Sequence, residues 1–147
     1  KNVSPSSNPK NGNYIKRPFV IMRYAEILLN YVEALNEYDP GNADIETYLN
    51  KIRERGGLGP VQSDLNQSQM REQIRLERRI ELCFEGQRWY DLVRFGKLEE
   101  GVKKLAKYSS VATSQAQNFQ PKHVIFPIPQ DVIDASNGKI EQNPLWK

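Results

Sequence analysis

The chain has 147 residues, with 21 Lys and Arg against 18 Asp and Glu, a net charge of +3. That length fits one domain with a modest core, and so small a basic excess does not by itself point to nucleic acid. Cys83 is the single cysteine, which excludes an intrachain disulfide, and no run of about 18 apolar residues offers a membrane span.

Residues 1–18 carry Lys1, Lys10, Lys16 and Arg17 and no acid, set among Ser, Asn, Pro and Gly. This composition predicts a flexible leader rather than a binding arm. The chain opens on Lys1 rather than Met and reads as a piece of a longer polypeptide, with no signal peptide in view. The folded domain is expected over 19–147.

A first helix is predicted from Phe19 to Tyr38. Arg23, Glu26, Asn30, Glu33 and Glu37 recur at spacings of three and four and form one narrow polar stripe. Ile21, Met22, Ile27, Leu28, Leu29, Val32 and Leu35 fill most of the remainder, so protein is expected on most sides of this helix. Pro18 suits its first turn. Asp39 to Asn42 is a turn, and Asn42 is placed to cap a second helix whose first turn holds Asp44 and Glu46. Ile45, Leu49 and Ile52 mark one face, Arg53 and Arg55 suit the last turn, and Gly56-Gly57 ends it. Residues 19–56 thus predict a helical hairpin of tetratricopeptide size, which cannot close its own core.

The third helix is predicted to start near Asn66 or Ser68 and to run to about Glu85. Leu76, Ile80, Cys83 and Phe84 form an apolar stripe, with Cys83 read as a small core residue. Glu77, Glu81 and Glu85 form an acidic stripe joined by Met70 and Ile74, and Arg71, Arg75, Arg78 and Arg79 form a basic one joined by Leu82. Gly86 permits a bend, Arg88 to Phe95 is helical again, and Leu98, Val102 and Leu105 mark a short amphipathic helix. Tyr108 to Pro121 is polar and unpatterned and reads as a loop. Val124 to Pro129 is extended, and its two prolines exclude a central strand. Gln130 to Ala135 suits a helical turn stopped by Asn137-Gly138. The predicted fold class is all-α, with tetratricopeptide-like hairpins, extended loops and no substantial sheet.

The charges in this middle stretch need partners if they are packed. Arg23, Glu26, Glu77, Arg78, Glu81, Glu85, Arg88 and Asp91 are read as a structural ion-pair network. A glycosidase pair among the glutamates is disfavoured, because a general acid needs a raised pKa and arginines here hold the carboxylates ionised. A nucleic-acid helix is disfavoured because acids flank the basic stripe. His123 and Cys83 build no metal site of familiar spacing, and Gly56 to Gly59 reads as a helix cap rather than a phosphate loop. Asn2-Val-Ser4 and Asn66-Gln-Ser68 match the N-glycosylation pattern, a short match that arises easily by chance. Trp89 and Tyr90 read as core anchors. Tyr108 and Phe119, in the polar loop, are the ring candidates for an exposed ligand platform.

Five blocks carry a resemblance. They are Arg23-Tyr-Ala-Glu-Ile-Leu-Leu-Asn-Tyr-Val-Glu-Ala34, Leu49-Asn-Lys-Ile-Arg-Glu-Arg-Gly-Gly-Leu58, Glu77-Arg-Arg-Ile-Glu-Leu-Cys-Phe-Glu-Gly-Gln-Arg-Trp-Tyr-Asp91, Phe126-Pro-Ile-Pro129 and Gln142-Asn-Pro144. In this order they resemble the C-terminal part of a SusD/RagB-type outer-membrane lipoprotein, over about residues 19–144. The departures are Cys83 at a variable spot and Leu-Trp where an aromatic commonly follows Asn-Pro. The resemblance implies a helical, non-catalytic, cell-surface glycan-binding protein that needs no cofactor. It implies a TonB-dependent transporter as partner, an oligosaccharide as ligand, and an outer-membrane lipid anchor outside these residues. Specific sugar contacts are not carried over, because the matched blocks are mostly scaffold. The alternative class is a helical protein-interaction scaffold with no sugar affinity of its own.

Overall fold

The computed structural model describes residues 20–108 and 110–147. The predicted leader, 1–18, lies outside the described residues, as do the predicted start of the first helix at Phe19 and the Asn2-Val-Ser4 match. The order is α1 (Tyr24–Tyr38), α2 (Ala43–Arg55), α3 (Gln67–Glu81), α4 (Arg88–Arg94), α5 (Leu98–Ala106), α6 (Ser110–Gln117) and α7 (Gln130–Ala135), with 3-10 turns at Pro121–Val124 and Pro144–Trp146. Among the described residues there is no strand, so the fold is all-α. The chain divides into two compact units, Lys1–Glu81 and Leu82–Lys147.

In the first unit α1, α2 and α3 pack on one another. α1 begins at Tyr24, five residues later than its apolar pattern suggests; Arg23 precedes it in extended backbone. Asn42 caps α2 as its sequence predicts, its side chain accepting from Asp44 N–H at 3.0 Å. α2 stops because Gly57, at φ +73°, takes the left-handed conformation. Leu58 N–H and Gly57 N–H then bond back to the carbonyls of Arg53 and Glu54 at 2.9 Å each. Asn66 caps α3 reciprocally: its side chain accepts from Gln69 N–H, and the Gln69 side chain accepts from Asn66 N–H, both at 3.0 Å. The core between the helices is Leu28, Leu29 and Val32 from α1, Ile45, Leu49 and Ile52 from α2, and Met70 and Ile74 from α3.

α3 faces the core with a different side from the one its apolar stripe predicts. Leu76, Ile80, Cys83 and Phe84 are all exposed, so Cys83 is no core residue. Met70, Ile74, Glu77 and Arg78 are the buried positions instead. The reason is that α1 and α2 supply matched partners for charges on that side, as described below. α3 also ends at Glu81 rather than near Glu85, and Phe84 has a left-handed φ of +65°.

In the second unit α4 packs on α5, and α5 on α6. Gly101 lacks a Cβ, which would sit 2.6 Å from Leu92 Cδ1, so a glycine lets α4 and α5 approach. The stretch read as a loop between Tyr108 and Pro121 contains α6. α7 falls where its sequence predicts, and Asn137 at φ +53° ends it. Tyr90 is exposed, contrary to its reading as a core anchor; Trp89 is part-buried, its ring 6.5 Å from that of Phe126.

Candidate functional site

The charges of α3 are held chiefly from other helices. Arg23 Nη1 donates to Glu81 Oε1 at 2.5 Å, and its Nη2 donates to the main-chain carbonyl of Glu81. Arg55 Nη2 donates to both carboxylate oxygens of Glu81, at 2.7 and 2.6 Å. The residue before α1 therefore satisfies a carbonyl at the end of α3, where such groups lack a partner within the helix. Burial pushes the Glu81 carboxyl up, as the largest single influence. Hydrogen bonds and charge from Arg23 and Arg55 together outweigh it, and the group is held below the ordinary carboxylate value.

One helical turn earlier, Glu77 accepts from Arg53 Nη1 and from Gln73 Nε2, the latter at 2.9 Å. Arg53 also donates through Nε to Gly59 O at 2.7 Å. Arg78 donates to Asn30 Oδ1 at 2.6 Å and lies 3.6 Å from Glu33 on α1. Arg71 grips Glu37 with two bonds, at 2.5 and 2.7 Å. Those bonds hold the Glu37 carboxyl below its usual value. Near the hairpin turn, Asn36 Nδ2 donates to Gln67 O at 3.1 Å and Gln67 Nε2 donates to Asn36 O at 2.9 Å. From Gln67 to Glu81, α3 thus meets α1 in reverse order, from Asn36 back to Arg23. It meets α2 in the same order, Arg53 with Glu77 and Arg55 with Glu81.

Of the residues assigned to the network from sequence, the structure brings Arg23 and Glu81 together and places Glu77 and Arg78 on the same packed face. Glu26 is buried on α1. Glu85 and Arg88 are exposed and belong to the second unit, and Asp91 is buried there with Arg94 at 2.9 Å. Sequence reasoning missed Arg53, Arg55, Glu33 and Glu37 as partners. Arg53 and Arg55 were visible only as cations suiting a helix end, and their reach to α3 depends on the hairpin's tertiary placement.

The second unit holds both ring candidates, Tyr108 and Phe119. Tyr108 is exposed, whereas Phe119 is part-buried with its ring edge-on to His123 at 5.8 Å. His123 lies 5.6 Å from Trp146, and Lys122 Nζ sits 4.6 Å from the centre of the Trp146 ring. Trp146 Nε1 donates to the carbonyls of Ile125 and Lys122 at 2.7 and 3.1 Å. The Gln142 side chain accepts from Ile128 N–H at 2.8 Å and donates to Ile128 O at 2.9 Å, as a neighbouring strand would. Asn143 Nδ2 donates to Phe126 O at 2.6 Å. The Phe126–Pro129 and Gln142–Pro144 blocks are thus two halves of one clasp. Among the described residues, no group of three or more His, Cys, Asp or Glu side chains is placed to hold a metal ion. No described helix is long and apolar enough to cross a membrane.

Comparison with known proteins agrees with this architecture. The chain is 42% identical over 91 residues to SusD-like protein P2 of Formosa agariphila, a match covering 57% of this chain and 18% of that protein. It is 34% identical over 145 residues to SusD-like protein P25 of the same organism, covering 97% of this chain and 26% of the relative. A crystal structure of a SusD homolog from Bacteroides thetaiotaomicron superposes with a TM-score of 0.70 at 35% identity, over 84% of this chain and 26% of that one. A SusD-like protein from Bacteroides fragilis gives 0.63 at 29% identity, over 86% of this chain and 25% of that one. The chain spans about a fifth to a quarter of the length of these relatives. The SusD family itself is matched over residues 1–146, and the chain belongs to that family.

Proposed function

We propose that this chain is the C-terminal part of a cell-surface glycan-binding subunit that captures oligosaccharide, including starch-like polysaccharide, without chemistry. It hands the ligand to a TonB-dependent outer-membrane transporter of the SusC type. A lipid anchor outside these residues holds the subunit to the outer membrane. Membership of the SusD family carries this reading. The electrostatics favour binding over catalysis: Glu81 is held ionised by two guanidinium groups, the opposite of what a general acid needs. Arg23, Glu77, Arg78 and Glu81 accordingly serve as frame rather than reaction centre. Glu26, Glu85, Arg88 and Asp91 are assigned the same structural role. Of the two ring candidates, Tyr108 offers the freer face for stacking on a sugar, and Phe119 is the more enclosed.

Affinity gel electrophoresis of the full-length protein, in gels containing starch and other polysaccharides, tests the reading. Retardation by at least one glycan is expected. Mobility unchanged in every gel, with no signal on a glycan array, overturns it in favour of a protein-binding scaffold. Turnover of a glycan that disappears with Glu77→Gln or Glu81→Gln overturns the non-catalytic assignment.

A further inference from the structure

A small cavity lies beside the α1–α2 turn, within the first unit. Its volume is about 50 Å³, with Asn36, Ile45 and Met70 as its buried lining and Gly41 and Ala43 as exposed lining. Asn36 is only 1% exposed, and its Oδ1 is buried without a hydrogen-bond partner. Turning the amide round does not relieve it. Nδ2 donates to Gln67 O at 3.1 Å, and exchanging the two ends would set two oxygens against each other at that distance. The start of α2 lines the same cavity. Asp44 N–H is capped by Asn42 Oδ1, and Ile45 N–H bonds to Asn42 O, both at 3.0 Å. Ala43 N–H, the first of the helix, has no partner among the described residues. One small space is thus bordered by an unanswered acceptor on α1 and an unanswered donor on α2.

We infer that this cavity is a hydration site, holding one ordered water that donates to Asn36 Oδ1 and accepts from Ala43 N–H. The pairing of an acceptor with a donor chooses the ligand, because it demands a group that both gives and takes a hydrogen bond. A metal ion or an ammonium group cannot accept from an N–H, and the positive end of α2 opposes either. An ionised carboxylate cannot donate to the amide oxygen. A water's share of liquid volume is about 30 Å³, so the space admits a water and excludes a sugar ring. An enclosed acceptor beside a free N–H is also the setting that buried water satisfies, whereas dry cavities are lined by apolar groups. The Glu46 carboxylate lines the cavity too and favours a cation, so the test below separates that occupant. Asn36 already holds the start of α3, since its main-chain O accepts from Gln67 Nε2 at 2.9 Å. The water therefore ties the last turn of α1 to the first turn of α2 at the corner where α3 begins. This inference rests on the first unit alone and does not depend on glycan binding.

A crystal structure of the full-length protein, at a resolution that shows ordered water, tests it. Data are collected from crystals as grown and after a thallium(I) soak. A single solvent peak is expected within about 2.5–3.2 Å of both Asn36 Oδ1 and Ala43 N, with no anomalous signal there after the soak. An empty map at that place, or a peak that reaches only one of the two groups, overturns the inference. An anomalous peak overturns it in favour of a monovalent cation. A side chain from elsewhere in the polypeptide, or a ligand hydroxyl, seated there overturns it in favour of that occupant. Asn36→Leu removes the acceptor, so the peak should disappear from a folded variant; a peak retained at full occupancy also overturns the inference. Where that variant does not fold, the native maps decide the matter by themselves.

Discussion

Glu81 concentrates the electrostatics of the first unit, because two guanidinium groups and one helix end converge on it. Removing one partner of a buried charge pair costs roughly 3–5 kcal/mol, and less where the partners remain in contact with water. Arg55 is well exposed, so Glu81→Gln is expected to cost about 2 kcal/mol, measured by urea denaturation. The pH dependence follows from the same residue. Its carboxyl is held below the ordinary value in the folded chain, so its stabilisation is complete above the unfolded value, about 4.3, and fades as pH falls through the folded one. Glu81→Gln should flatten that acid limb; an unchanged limb would remove Glu81 as its source. Part of this was legible beforehand: Arg23 and Glu81 were placed in one network from sequence, without being paired, because a packed charge needs an opposite. Arg53 and Arg55 were not, since periodicity orders residues around one helix and says nothing about reach to another. Tyr108 is a separate matter. Its exposed ring predicts that Tyr108→Ala weakens glycan retention of the full-length protein severalfold while leaving its melting temperature unmoved.

The helices differ in how far patterning alone describes them. α2 was fully legible, since cap, apolar face and glycine stop agree, and local and tertiary preferences point the same way. α3 was legible in part: Met70 and Ile74 among the glutamates pointed to burial there, whereas the core reading of Cys83 on the more apolar stripe failed. Ile74 and Leu76 are two positions apart and separate the alternatives. Ile74 is fully enclosed, so Ile74→Ala should cost about 2–5 kcal/mol. Leu76 is 46% exposed in this chain, so Leu76→Ala should cost under about 1 kcal/mol. Comparable losses at both positions would show that the Leu76 side is packed as well. α6 was missed because its Ser, Thr, Gln and Ala residues show no apolar period, although alanine itself favours a helix. The clasp in the second unit was visible only as two short blocks. Gln142→Ala removes two bonds to the Ile128 backbone and leaves them without a replacement, at about 1–3 kcal/mol. Faster amide exchange at Ile128 is the expected reading, and unchanged exchange would show that Trp146 and Asn143 hold the segment without it.

For the molecule as a whole, the five blocks that carried the resemblance are now seen to be interlocking surfaces. The first three meet in the Arg and Glu lacing of α1, α2 and α3, and the last two meet in the clasp. Family identity was therefore readable because packing partners must match each other, while ligand contacts were not, because exposed rings are under no such constraint. The bond from Arg23 to the end of α3 has a further effect on the chain as a polymer. It joins residues 58 positions apart and so acts as a reversible staple across a long loop. Fraying at either terminus of the three-helix bundle must first break the staple, which couples the two ends thermodynamically. A single protease cut within 57–65 should then leave two fragments that co-migrate on gel filtration at low salt. They should part at high salt, because the staple is ionic and partly wet. Fragments that separate at low salt would show that the ring was never closed.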